Sequence, residues 1–137
     1  DAGTQIELQG YSQKNKEQDL KKEQFKIGDS RSLDDILKEL LERGFTPSFC
    51  TACYRLGRTG EHFMEFSKPG FIHHFCTPNA LVTLAEYLED YASQETKDSG
   101  YKLIFEQLEK AEMKEDTKLT LKDKLIEIKE GKRDLYY

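Results

Sequence analysis

The residues of this chain with the most chemistry are its three cysteines, and they lie in one stretch. Cys50 and Cys53 are followed by Cys76 in a C-x2-C-x22-C pattern. Two cysteines so spaced can reach one metal centre from a single turn, and a third arriving across a loop closes the site from another side. Three soft thiolates suit an iron–sulfur cluster or zinc. A 4Fe–4S cluster takes one cysteine per iron, so three cysteines leave one iron open. Zinc would want a fourth ligand, and His62, His73 or His74 could supply it. A disulfide would leave one cysteine over in a chain without a secretory signal. Three buried cysteines could also be no more than small hydrophobes.

The surroundings favour an anionic group. Thr77 is an expected N-cap and Pro78 an expected first helical residue, which puts Cys76 at a helix N-terminus. Free amide N–H groups and the positive end of the helix dipole stabilise negative charge there. Arg55 and Arg58 follow the CxxC pair and are candidate residues beside a bound cofactor; the plainer reading of both is a solvated loop. Gly57, Gly60 and Gly70 permit tight turns around a bulky ligand. Phe63, Met64, Phe66, Phe71, Ile72 and Phe75 offer dense apolar cover that could exclude water from a cluster.

At this point a family resemblance enters. The run Pro47-Ser48-Phe49-Cys50-Thr51-Ala52-Cys53-Tyr54-Arg55-Leu56-Gly57-Arg58-Thr59-Gly60 resembles the C-terminal portion of the HydG family of radical S-adenosylmethionine (SAM) tyrosine lyases, which mature FeFe-hydrogenase. The resemblance continues through Phe63-Met64-Glu65-Phe66, Pro69-Gly70-Phe71-Ile72, Cys76-Thr77-Pro78-Asn79-Ala80 and Gly131-Lys132-Arg133-Asp134-Leu135-Tyr136, so it covers nearly the whole chain. It implies that Cys50, Cys53 and Cys76 ligate an auxiliary 4Fe–4S cluster, and that the histidines here are not ligands. In the family a SAM-derived radical splits tyrosine between Cα and Cβ, giving p-cresol and a glycine-like fragment. That fragment yields carbon monoxide and cyanide, which become iron ligands of the hydrogenase cluster. The implied partners are the tyrosine-derived fragment, the parent barrel and the other hydrogenase maturation proteins. The family has Ser before the Ala-Gly-Thr turn where this chain has Asp1, which removes any contact that serine would make.

Composition bounds the alternatives. Net charge is −5 and no block of Lys or Arg stands out, which argues against nucleic acid, because neutralising phosphates needs a basic face. No apolar run is long enough for a membrane span and no signal peptide is read. A reducing cytoplasm is expected, since the thiols must stay reduced. GRTGEH lacks the Lys-Ser/Thr pair of a phosphate-binding loop. A radical-SAM site needs C-x3-C-x2-C, so the chain alone is not expected to cleave SAM; SAM and a second 4Fe–4S cluster belong to the parent protein.

The elements that must position the cysteines read as mostly helical. Helices are expected near 32–43, 78–92, 100–113 and 120–130. Leu33, Ile36, Leu37, Leu40 and Leu41 follow the 3.6-residue period, with Ser32 and Asp35 as a capping box and Gly44 at C′. Leu81, Leu84, Ala85, Leu88 and Ala92 mark the second helix; Tyr101, Ile104, Phe105, Leu108 and Ala111 the third; Leu121, Leu125 and Ile128 the fourth, which starts near Thr120 and ends at Gly131. Residues 93–99 and 114–118 read as charged linkers, 9–24 as a polar loop, and 133–137 as a tail whose aromatics dock somewhere. Residues 4–8 alternate like a short strand, and 25–28 are a strand or a turn. The expected organisation is the end of an α/β (TIM-type) radical-SAM barrel over 1–44, leaving a remnant strand and helix, and an auxiliary cluster domain over 45–137. A strand near Ile6 without a partner would leave its backbone unpaired, so self-association or altered docking is expected. The competing reading is a small zinc-binding interaction module.

Overall fold

The structure, a computed structural model, describes residues 4–6, 25–27, 31–70, 73–110 and 113–137. The chain divides into two compact units, Asp1–Ser32 and Leu33–Tyr137. In the first, strand β1 (Thr4–Ile6) pairs antiparallel with β2 (Phe25–Ile27), with Thr4 opposite Ile27 and Ile6 opposite Phe25. The strand expected to lack a partner therefore has one within its own chain, and the ladder satisfies backbone groups that would otherwise be orphaned. The Ala2-Gly3 turn and the 9–24 loop lie outside the described residues.

The second unit is helical. Helix α1 (Leu33–Glu42) packs on the later helix Gln94–Lys110, with Leu37 and Leu41 buried and Leu33 exposed. Its end is a Schellman motif: Gly44, at φ 82°, donates to the Leu41 carbonyl, and Phe45 N–H donates to Leu40. Two short helices follow, α2 (Ala52–Arg55) and α3 (Gly60–Ser67). Then come three long ones, α4 (His73–Asp90), α5 (Gln94–Lys110) and α6 (Glu115–Lys129).

Helix α4 is the centre of the unit because it packs against both α5 and α6. Leu81, Leu84, Ala85 and Leu88 form the expected stripe, and Val82 widens it to a second face; all five are essentially inaccessible. Leu103, Ile104 and Leu108 from α5, and Leu121, Leu125 and Ile128 from α6, complete the core with Leu41. Phe105, expected inside, is half exposed, and Leu103 takes its place.

Three helices begin earlier than expected, and each has a physical reason. Helix α5 starts at Gln94 because Ser93 caps it: Ser93 Oγ accepts from Thr96 N–H, and Lys97 N–H donates to the Ser93 carbonyl. Asp34 of α1 reinforces this cap by accepting from Ser93 N–H (3.2 Å) and Thr96 Oγ1 (3.0 Å). Gly100, read as a helix start, lies inside α5, where a Cβ would stand 2.4 Å from Leu88 Cδ1. The glycine lowers helix propensity but lets α5 approach α4. Helix α6 starts at Glu115, with Glu115 and Asp116 in the first turn where the dipole favours anions. Thr120 is not a cap; its hydroxyl donates back to the Asp116 carbonyl (2.9 Å). The linkers read at 93–99 and 114–118 are thus largely first turns of helices. Ser93→Ala is expected to cost about 1 kcal/mol, read as a lower urea midpoint; an unchanged midpoint would show that the hydroxyl is not the cap.

Two buried-side carboxylates tie the helices together. Burial pushes Asp34 up, but the hydrogen bonds from Ser93 and Thr96 outweigh it and hold the carboxyl below its ordinary value of 3.8. Burial likewise pushes Glu89 up, and hydrogen bonds from Lys97 and Tyr101 bring it below 4.5. A depressed folded pKa stabilises the fold above the ordinary value and loses that contribution as pH falls through the lower, folded one. The thermal midpoint is therefore expected to fall as pH drops below 4.5, with Glu89→Gln flattening that limb. An equally steep limb in the variant would remove Glu89 as its source.

Candidate metal centre

The CxxC pair is built on one tight turn. Cys50 precedes α2, and its Sγ accepts the Ala52 N–H at 3.4 Å. Cys53 lies within α2, and its carbonyl accepts Arg58 N–H at 2.8 Å, while Gly57 N–H donates to Tyr54. This 6→1 and 5→2 pairing needs a left-handed residue at position 57, which Gly57 supplies at φ 67°. The approach to the turn is pinned on α4: Phe49 stacks on Tyr87 with ring centroids 5.1 Å apart, and Phe49 N–H donates to Thr83 Oγ1.

Cys76 comes from α4. Helix α4 starts at His73, so Thr77 is not its N-cap and Pro78 is not its first residue. Cys76 is the fourth helical residue and remains in the first turn, where amide N–H groups lack intrahelical acceptors. Pro78 lies inside α4, where it cannot donate to the His74 carbonyl. Asn79 Nδ2 meanwhile donates to the neighbouring Phe75 carbonyl at 2.9 Å.

All three cysteines are free thiols, Cys50 and Cys53 half-buried and Cys76 exposed. Partial desolvation pushes the Cys76 thiol up, Cys53 and Cys50 add to the shift, and Arg58 opposes it. The three sulfurs thus share one electrostatic neighbourhood. Among the described residues, however, no group of three His, Cys, Asp or Glu side chains is gathered closely enough to hold one metal ion.

The two arginines have different surroundings. Arg55 pairs with Asp134 (2.5 Å) and lies over the Tyr136 ring. Arg58 stacks over the Phe75 ring, 4.8 Å from its centroid. Its Nε is buried and has no hydrogen-bond partner among the described residues. A buried donor without an acceptor is costly, so an acceptor delivered by a bound anionic group would satisfy it. Free thiols on a CxxC turn, a third in the first turn of a helix and this orphaned donor are the donor types a thiolate-held cluster would use, but the three sulfurs are not drawn together around one point.

His62 faces Glu65 (3.2 Å) and packs edge-on against Phe66. His74 is exposed, beside a cavity of about 470 Å³ that Phe66, Phe75, Thr117 and Tyr137 also line. The side chain of His73, and Phe71 and Ile72, lie outside the described residues. The apolar cover expected over the site is thinner than read: no residue of α3 is buried, Met64 is exposed, and Phe63 and Phe66 are half-buried, Phe66 standing edge-on to Phe75.

The tail over 133–137 docks as expected, and its anchor, Asn79, is what the sequence reading missed. Asn79 is 2% exposed. Its Oδ1 accepts Tyr137 N–H at 2.7 Å and its Nδ2 donates to the Tyr137 carbonyl at 3.1 Å. The available signal was an asparagine inside an apolar helical pattern, three residues after a cysteine.

Fold and site together define a mainly helical, thiol-bearing unit. No family model matches the chain, and no curated protein matches it. A crystal structure of HydG, a maturase of FeFe-hydrogenase, matches it with a TM-score of 0.77 at 48% sequence identity, covering 83% of this chain. The chain is related to HydG and corresponds to its C-terminal portion. It spans 25% of the length of that relative. Among the described residues no helix is long and apolar enough to cross a membrane.

Proposed function

We propose that the chain is the auxiliary 4Fe–4S cluster domain of a radical-SAM lyase. That enzyme makes carbon monoxide and cyanide, with p-cresol, from tyrosine for maturation of the FeFe-hydrogenase cluster. The observation that carries this reading is the 48% identity to HydG over 83% of the chain, together with three free thiols in one neighbourhood. Cys50, Cys53 and Cys76 would each hold one iron. When bound, such a cluster supplies an iron with an open position for a small ligand.

The chain's own residues have definable parts in this. The Ala52 N–H directed at Cys50 Sγ favours the thiolate. The first turn of α4 does the same for Cys76. The charge of Arg58 favours the Cys76 thiolate and its unpaired Nε–H is available to an anionic group, while Arg55 secures the CxxC turn to the tail. Residues 45–137 carry the cluster. Residues 1–44 belong with the parent barrel, α1 being the part that also packs on α5. The SAM-cleaving cluster, the tyrosine site and contacts with other maturation proteins belong to the remainder of the parent, in the cytoplasm.

Anaerobic iron and sulfide analysis of the reconstituted chain tests the reading. The expected result is a brown protein with iron and acid-labile sulfide in equal amounts. A colourless protein that takes up zinc and no sulfide would overturn it.

A further inference from the structure

The tail formed by residues 133–137 touches both halves of the thiol site. Arg133 fixes its start: Nε donates to both Asp90 oxygens at 2.8 Å, and Nη1 to the Ile128 and Lys132 carbonyls at 2.7 Å. Asp134 then takes a left-handed conformation, φ 66°, which Asp and Asn enter more easily than other side chains. Its carboxylate meets Arg55, two residues beyond Cys53. Leu135 N–H donates to Glu86 Oε1 at 2.8 Å. The tail ends with the Tyr137 backbone held at both its N–H and its carbonyl by Asn79, three residues beyond Cys76.

The helix geometry makes this a designed track. Asn79, Glu86 and Asp90 are spaced i, i+7, i+11, so all three lie on one stripe of α4. The segment bends at Asp134 and runs along α4 toward the start of that helix, held at Asp90, Glu86 and Asn79 in turn.

We propose that residues 133–137 are a strut that sets the CxxC turn, gripped through Arg55, in register with the Cys76 helix, gripped through Asn79. Neither Asp134 nor Asn79 touches a sulfur; both are positioning residues. The inference rests on the cluster reading for its consequence, but the strut itself is testable without metal.

Two variants cut opposite ends. Asp134→Asn keeps the left-handed backbone accessible and removes the charge; its side chain is mostly exposed, so the fold is retained. Asn79→Ala removes both hydrogen bonds to Tyr137. In the reconstituted chain, each is expected to speed iron release to a chelator about tenfold, the scale seen when residues supporting metal ligands are changed. The double variant is expected to be no faster, since a strut is lost once either end is free. Asp134→Asn should also shift the electron paramagnetic resonance of the reduced cluster while leaving the thermal midpoint of the metal-free chain unchanged. In the metal-free chain, amide exchange over residues 50–58 should quicken in both variants. Lys132→Ala, which breaks a pair with Glu127 outside the strut, should change neither rate. Native iron release and native exchange over residues 50–58 in both variants would overturn the strut, as would equal acceleration by Lys132→Ala. If the native chain takes up no iron, the cluster reading falls, and the exchange measurement still decides the strut.

Discussion

Replacing Cys50, Cys53 or Cys76 with alanine, one at a time, is expected to abolish stable cluster loading. With three thiolates each holding one iron, removing one leaves a cluster on two protein ligands and an additional iron open to solvent and chelator. Of the two histidines whose side chains are described, His62 is turned to Glu65 and His74 lines the cavity beside Phe66 and Phe75, and neither joins a group of three potential ligands. In the intact parent enzyme the same variants are expected to separate two products. Under the proposed function, formation of p-cresol, assigned there to a SAM-cleaving cluster outside this chain, should survive better than release of carbon monoxide. Iron and sulfide content and the two product rates are the measurements. Single variants that release carbon monoxide at the native rate would remove these cysteines from the role proposed for them.

Leu84→Ala is expected to destabilise the helical unit by about 3 kcal/mol, the middle of the range for a fully buried leucine. Leu84 is 0% exposed on α4, the helix that packs against both α5 and α6, so the vacated volume has few routes to collapse. For a domain of this size the thermal midpoint should fall by roughly 10 °C or more. Ile126→Ala on α6, a residue 56% exposed, should stay within about 0.5 kcal/mol of the native chain. Equal losses at the two positions would show that α4 is not the centre of the core. Loss at position 84 should also weaken cluster retention, because α4 carries Cys76 and the site shares its stability with the core.

The thiol chemistry and the helical stripes were legible in the sequence because both are local. C-x2-C is a short-range chelating pattern, and Leu81, Leu84, Ala85 and Leu88 repeat at the helix period whatever surrounds them. Gly44 and Gly131 were legible as helix ends for the same reason: each supplies the left-handed residue that a Schellman motif requires, at φ 82° and 98°. The start of α1 was legible at Ser32, but the starts of α4, α5 and α6 were not. Pro78, Gly100 and Thr120 each look like punctuation, and each lies inside a helix. Their contexts are tertiary or compensating: Leu88 packed against Gly100, Asn79 bonded to the Phe75 carbonyl beside Pro78, and Thr120 bonded back to Asp116.

The sequence by itself determined which atoms could do chemistry: three thiols, two of them on one turn, with cationic side chains close by. Only the tertiary structure distinguished the two arginines, giving Arg55 to Asp134 and leaving Arg58 Nε buried and unpaired beside Phe75. It alone brought Tyr137 to Asn79, 58 residues away in the chain. No local pattern encodes such a pairing. It exists because α4 and α6 pack together and carry a polar stripe and the segment 133–137 to the same place.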